Sequence, residues 1–142
     1  MLRTTDAWQN FHQAVSREVL DGASVMNLQS MDLVPGTVVQ LGDATVTLIA
    51  GWGDWAGPGL STSERRNVVS IVVRLDFAGS SILYTGDTVG RRIGDPVAAC
   101  KDAEAFMVNN HTAGTVSIAA DVLIAPHHGA DNGSSTCFIQ AV

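Results

Sequence analysis

The chain reads as a mixed α+β domain. Two pairs of short apolar runs, each joined by a turn dipeptide, predict two β-hairpins, and segments of helical period stand before and after them. A further apolar run near the end, "ADVLIAP", is short enough for a strand and delivers a proline and two adjacent histidines.

The first helix is expected in "TTDAWQNFHQAVSREVL". Trp8, Phe11, Val15 and Val19 recur at spacings of three and four, Thr5 or Asp6 can cap the start, and Gly22 ends it. From Pro35 the period becomes two: "TVVQL", Gly42-Asp43 and "ATVTLIA" form the first hairpin. "GWGDWAGPGLSTSERRN" is expected to be loop, having glycines, a proline and no period. "VVSIVVRLDF" and "SSILYT" flank Ala78-Gly79 as the second hairpin, the first of them apolar enough for a strand covered on both faces. After "TGD", Asp95 with Pro96 behind it predicts the start of a helix running through "DPVAACKDAEAFMVNN". "HTAGTVSIA" is a connection, "ADVLIAP" a strand, and "SSTCFIQAV" a helix capped by Ser134 or Ser135.

A length of 142 residues suits one domain, and 46% hydrophobic residues are enough for a core. The net charge of −6 excludes a grip on nucleic acid through the overall field, so such a substrate needs a local positive site, for example bound metal. Cys100 and Cys137 lack C-x-x-C spacing, which excludes a zinc ribbon or thioredoxin motif and leaves them free to pair or to stay reduced. No apolar run is long enough to span a bilayer, and no signal-peptide core is present in the first residues.

Two segments share a design in which an apolar strand ends in polar residues. "ILYTGDT" presents Asp87, and "VLIAPHH" presents His127 and His128. Strand ends hold side chains in fixed geometry, and a carboxylate with an imidazole suits zinc, manganese or iron. Gly86 and Gly129 allow the backbone to bend there. His12 and His111 stand in no such pattern; His12 reads as a surface histidine on the first helix.

In combination, "RRNVVSIVVRLDFAGSSILYTGDT" followed by "ADVLIAPHHGADNGSS" resembles the C-terminal half of a metallo-β-lactamase-fold hydrolase. The resemblance is to the branch that contains the hydrolase domain of ComEC-type competence proteins. It rests on Asn67, Ser70, the T-G-D of the second hairpin and the P-H-H-G after the last strand, in that order.

The resemblance implies an αββα sandwich of which this chain is the second half, with residues 1–142 a partial domain lacking the metal-motif half and cut short at the C-terminus. It implies two divalent metal ions, zinc or else manganese or iron, with Asp87 bridging them and His127 as a ligand. His128 is then beside it, contacting the metal surroundings or substrate. Asn67 and Ser70 are expected to close loops and pack the core, and Ser134 and Ser135 to cap a helix. The implied activity is hydrolysis by a metal-activated water of a phosphodiester, DNA included, or of another ester- or amide-type bond, at an extracytoplasmic or secreted location.

The chain departs from the family pattern in lacking H-x-H-x-D-H, and its stretch from Asp87 to His127 is long. By itself it is expected to be inactive, to need the remainder of the domain as partner, and to associate through a bare sheet face. The competing expectations are a metal-free binding or interaction module of the same fold, a structural domain, and a serine triad hydrolase. The last lacks a G-x-S-x-G elbow.

Overall fold

The computed structural model describes residues 5–23, 34–51 and 57–142. The chain divides into two compact units, Met1–Asp32 and Leu33–Val142.

The first unit contains α1 (Asp6–Leu20), which starts where expected. The Thr5 side chain accepts from the Trp8 backbone N–H, satisfying one of the four donors a helix start leaves open. Gly22, at φ 99°, ends it as the spacing predicts. Trp8 and Phe11 stack along one face at 5.7 Å, and no α1 residue is buried. His12 is exposed, edge-on to the Trp8 ring.

The second unit is mixed α/β. One five-stranded sheet runs in the order β1 (Val38–Leu41), β2 (Ala44–Ala50), β3 (Val72–Phe77), β4 (Ser80–Tyr84), β5 (Val122–Ile124). The first four strands form an antiparallel meander through the two predicted hairpins; β5 joins parallel to β4. A parallel neighbour requires a long crossover, and here it carries α3 (Asp102–Thr112). α2 (Thr62–Val68) precedes β3, and α4 (Thr136–Ala141) follows β5.

Three boundaries differ from expectation. Within the stretch read as loop, residues 52–56 lie outside the described residues, and α2 occupies its end. α2 is nucleated by a capping box: Ser61 accepts from the Glu64 N–H, and the Glu64 carboxylate accepts from the Ser61 N–H at 2.8 Å. The strand expected from Val68 therefore begins at Val72. The helix expected at Asp95 begins at Asp102. The Asp95 carboxylate is drawn instead to the Arg92 N–H at 2.8 Å and the Lys101 ammonium at 2.7 Å, and the next residues turn rather than coil.

Residues paired across a sheet share a face. On one face Ala50, Val72 and Leu83 meet Met107 of α3, Phe138 of α4, and Val116 and Ile118 of the connection, which form the main core. The opposite face carries Val46, Leu75, Ile82 and Val122 in one row and Val73, Tyr84 and Ile124 in the next. These side chains are half-buried or exposed, while Leu48, in register with Val73, is buried. Cys100 and Cys137 are joined in a disulfide that ties the segment ahead of α3 to α4.

Candidate functional site

Parallel pairing of Ile82 with Val122, Leu83 with Leu123 and Tyr84 with Ile124 brings the carboxyl ends of β4 and β5 together. The pairing is extended past the strands. The Thr85 hydroxyl donates to the Ile124 carbonyl at 2.6 Å, and the His127 N–H donates to the Gly86 carbonyl at 3.0 Å. The two loops that hold Asp87 and the histidines are thereby stitched side by side.

Gly86 sits at φ 56°, and a Cβ there would come within 3.1 Å of the Ser70 side chain. Glycine is what lets the T-G-D turn close on Ser70, whose hydroxyl accepts from the Asp87 N–H at 3.2 Å. Ser70 thus closes a loop, and the loop it closes is the one that carries Asp87.

The adjacent histidines have different surroundings. His128 Nε2 lies 3.1 Å from Asp87 Oδ1, with the two side chains 85% and 44% exposed, so solvent reaches both. His127 is engaged at both ring nitrogens: Nε2 faces the Asn67 side-chain amide nitrogen at 3.1 Å, and Nδ1 faces Asn132 Oδ1 at 2.8 Å. An amide nitrogen only donates and an amide oxygen only accepts, so Nε2 is the acceptor and Nδ1 carries the proton. Both histidines occupy the left-handed region, at φ 49° and 56°, where each non-glycine residue costs about 1–3 kcal/mol. The surrounding hydrogen bonds hold that conformation in place.

Asn132 is buried and acts twice, since its backbone carbonyl also accepts from the Gly90 and Arg91 N–H groups at 3.0 and 3.2 Å. The buried Arg91 guanidinium reaches Asp131 at 2.9 Å and the Asp95 carbonyl at 2.9 Å. Behind this loop the buried Glu104 carboxylate of α3 accepts from the Ser134 and Ser135 N–H groups at 2.6 and 2.9 Å, and from the Ser135 hydroxyl. Ser135 occupies the N-cap of α4, yet its hydroxyl turns to Glu104 instead of making the side-chain cap expected of it.

Asn132, Arg91 and Glu104 were not among the residues singled out by motif. Only the polar run after His128 hinted at Asn132; a glutamate inside a helical run carries no local sign of burial. His111 lies near the end of α3.

Asp87 and His128 match the donor chemistry of a divalent cation but not its donor number. Among the described residues no group of three or more His, Cys, Asp or Glu side chains could hold a metal ion. Apart from Asp87 and the histidines, a cavity of about 460 Å³ is lined by Gly57, Pro58, Gly59, Arg92, Lys101 and Asp102. Its two cations are spoken for: Arg92 pairs with Asp102 and Lys101 with Asp95. The Lys101 ammonium, then the Arg92 N–H, hold the Asp95 carboxyl below its ordinary range. Among the described residues no helix is long and apolar enough to cross a membrane. No family model, curated protein or solved structure matches the chain.

Proposed function

We propose that residues 34–142 are the C-terminal half of a metallo-β-lactamase-like hydrolase, in which Asp87 and His128 are donors to a divalent cation at one edge of an αββα sandwich. The supporting observation is the 3.1 Å contact between the His128 imidazole and the Asp87 carboxylate, on loops that end two parallel neighbouring strands. The substrate class under this proposal is a phosphodiester, DNA included, or another ester- or amide-type bond. His127, tied at both nitrogens, is a positioning residue in this scheme rather than the ligand of first choice.

Two donors bind zinc or manganese weakly, so the remaining ligands and the second sheet come from outside the described residues. A bound cation would supply a water of lowered pKa and stabilise developing negative charge. The chain's own part is to hold Asp87 and His128 in register through Ser70, Gly86 and the strained Pro126–Gly129 turn. A metal-free interaction module is the second reading, favoured by the engagement of both His127 nitrogens.

Titration calorimetry with zinc and with manganese tests the proposal, alongside hydrolysis of bis(p-nitrophenyl) phosphate. Saturable weak binding that Asp87→Asn abolishes and His128→Ala weakens supports it, and any activity should fall further in the Asp87 variant. Heat that both variants retain at the wild-type level removes Asp87 and His128 as donors, and no saturable heat in the wild type assigns the chain to the metal-free reading.

A further inference from the structure

The two ends of the Cys100–Cys137 bond stand on different ground. Cys137 lies between the buried Ser135 and Phe138 at the start of α4, so its side of the bond is anchored in the core. Cys100 ends a surface segment in which Ile93 and Val97 are 77% and 64% exposed. That segment is fastened to α4 by the disulfide and by the Thr136 N–H, which donates to the Val97 carbonyl at 2.9 Å.

The same segment grips the histidine loop at two points. The Asp95 carbonyl accepts from the Arg91 guanidinium at 2.9 Å, and the other arm of Arg91 reaches Asp131 at 2.9 Å. The Lys101 N–H donates to the Gly90 carbonyl at 2.7 Å, and the Gly90 N–H donates to the Asn132 carbonyl at 3.0 Å. Asn132 in turn accepts the His127 Nδ1 proton. At the other end of the bond, Cys137 Sγ lies 3.1 Å from the Ser135 hydroxyl, which gives its own hydrogen to Glu104.

We propose that the Cys100–Cys137 pair is a redox switch on the histidine turn. Oxidised, it clamps the surface segment on α4 and so holds Asn132 against His127; reduced, it lets that segment lift and frees the turn. This rests on the proposed function only for what the turn serves, not for what holds it. The reductant is a dithiol. One of its thiolates attacks a sulfur of the pair and expels the other as thiolate, and its second thiol then displaces the first cysteine. Two electrons and two protons pass to Cys100 and Cys137, and the dithiol leaves as its own disulfide. Both cysteines are half-buried, so a small dithiol reaches them. Two thiols need van der Waals separation, and α4 is pinned by Phe138, so the surface segment is the side that gives way. It carries Asp95 and Lys101 with it. Reduction also adds a donor: a disulfide sulfur has no hydrogen to give, whereas the Cys137 thiol can donate to the Ser135 hydroxyl.

The experiment is proton–nitrogen NMR of the 142-residue chain as oxidised, after reduction with dithiothreitol, and after reoxidation. It is run at a temperature where circular dichroism of the reduced chain is native. The Gly90, Arg91, Ser134 and Ser135 amides and the His127 ring report on the turn. The Ser81 amide, bonded to Asp121 at the opposite end of β4, is the reference. Reduction should shift or broaden the turn signals and speed exchange of the His127 Nδ1 proton about 10-fold or more, with Ser81 unchanged. Reoxidation should restore the spectrum. Cys100→Ser with Cys137→Ser should resemble the reduced chain and ignore dithiothreitol.

Turn signals that stay in place on reduction overturn the proposal. So does loss of the Ser81 signal together with the others at every temperature tried, which makes the bond a staple of the whole fold. Two titratable thiols in the chain before reduction overturn it as well. Asp87→Asn should leave the redox response unchanged, so failure of the metal reading and failure of this one are separate results.

Discussion

The Asn67 side-chain nitrogen lies 3.1 Å from His127 Nε2, sixty residues away along the chain. That contact joins the end of α2 to the turn after β5, and with Asn132 on the opposite ring nitrogen it leaves the imidazole one tautomer. Nitrogen NMR of the folded protein should show His127 with a protonated Nδ1 and a bare Nε2. Asn67→Ala should remove the donor to Nε2 and shift its resonance while Asn132 Oδ1 still holds the Nδ1 proton, with a stability loss of about 1 kcal/mol for one hydrogen bond. A His127 spectrum identical in the variant would mean that the ring is held by something other than this amide.

Much of the framework was readable from local pattern. Both hairpins announce themselves through Gly42-Asp43 and Ala78-Gly79 between period-two runs, and Thr5 and Gly22 bracket α1. The Asp87 and His128 loops were readable as strand ends; that they touch was not, because it follows from β4 and β5 pairing in parallel across a long crossover. α2 was missed although Ser61 and Glu64 stand in capping-box order, since glycines and a proline precede them. At Asp95 a good cap was present and unused: its carboxylate is held by the Arg92 N–H and the Lys101 ammonium, and the helix starts seven residues later. Glu104 matters through partners thirty and thirty-one residues away and Asn132 through one five residues away, which no periodicity encodes.

Asp121 fastens the start of β5 to β4. Its carboxylate accepts from the Ser81 N–H at 2.7 Å and the Ser81 hydroxyl at 2.9 Å. The hydroxyl first, then the N–H, hold the carboxyl below its ordinary value of 3.8, against a small opposing effect of burial. A lowered folded-state pKa means that the stabilisation is present above the unfolded value and lost as pH falls through the folded one. Acid titration followed by circular dichroism should therefore show wild type more stable than Asp121→Asn at neutral pH. The gap should close below pH 3.8. A gap constant down to strong acid would mean that the carboxylate charge contributes nothing to the clasp.

The Cys100–Cys137 disulfide closes a span of 37 residues that contains α3, β5 and the histidine turn. On the chain-entropy account such a loop is worth roughly 4 kcal/mol, acting mainly on the unfolded chain. The oxidised protein should titrate no free thiol, and Cys100→Ser with Cys137→Ser should lose about 2–4 kcal/mol in urea unfolding. Equal midpoints with and without reductant would show that the bond forms without constraining the fold.

Glu104 connects the core to the site. Its carboxylate takes the two N–H groups and the hydroxyl at the Ser134–Ser135 corner, fully out of solvent, directly after the Asn132 that holds His127. A Cβ at Gly90 would overlap that carboxylate, so glycine is required there by packing. Glu104→Gln keeps the shape but replaces an acceptor oxygen with a donor facing N–H groups, leaving at least one of them unpaired in a dry site. That should cost about 2–3 kcal/mol in urea unfolding, and Gly90→Ala a similar amount through overpacking. Because the corner adjoins Asn132, both variants should also mix the His127 tautomers at temperatures where the fold is intact. Loss of stability with an unchanged His127 spectrum would separate the corner from the site and make Glu104 a core residue alone.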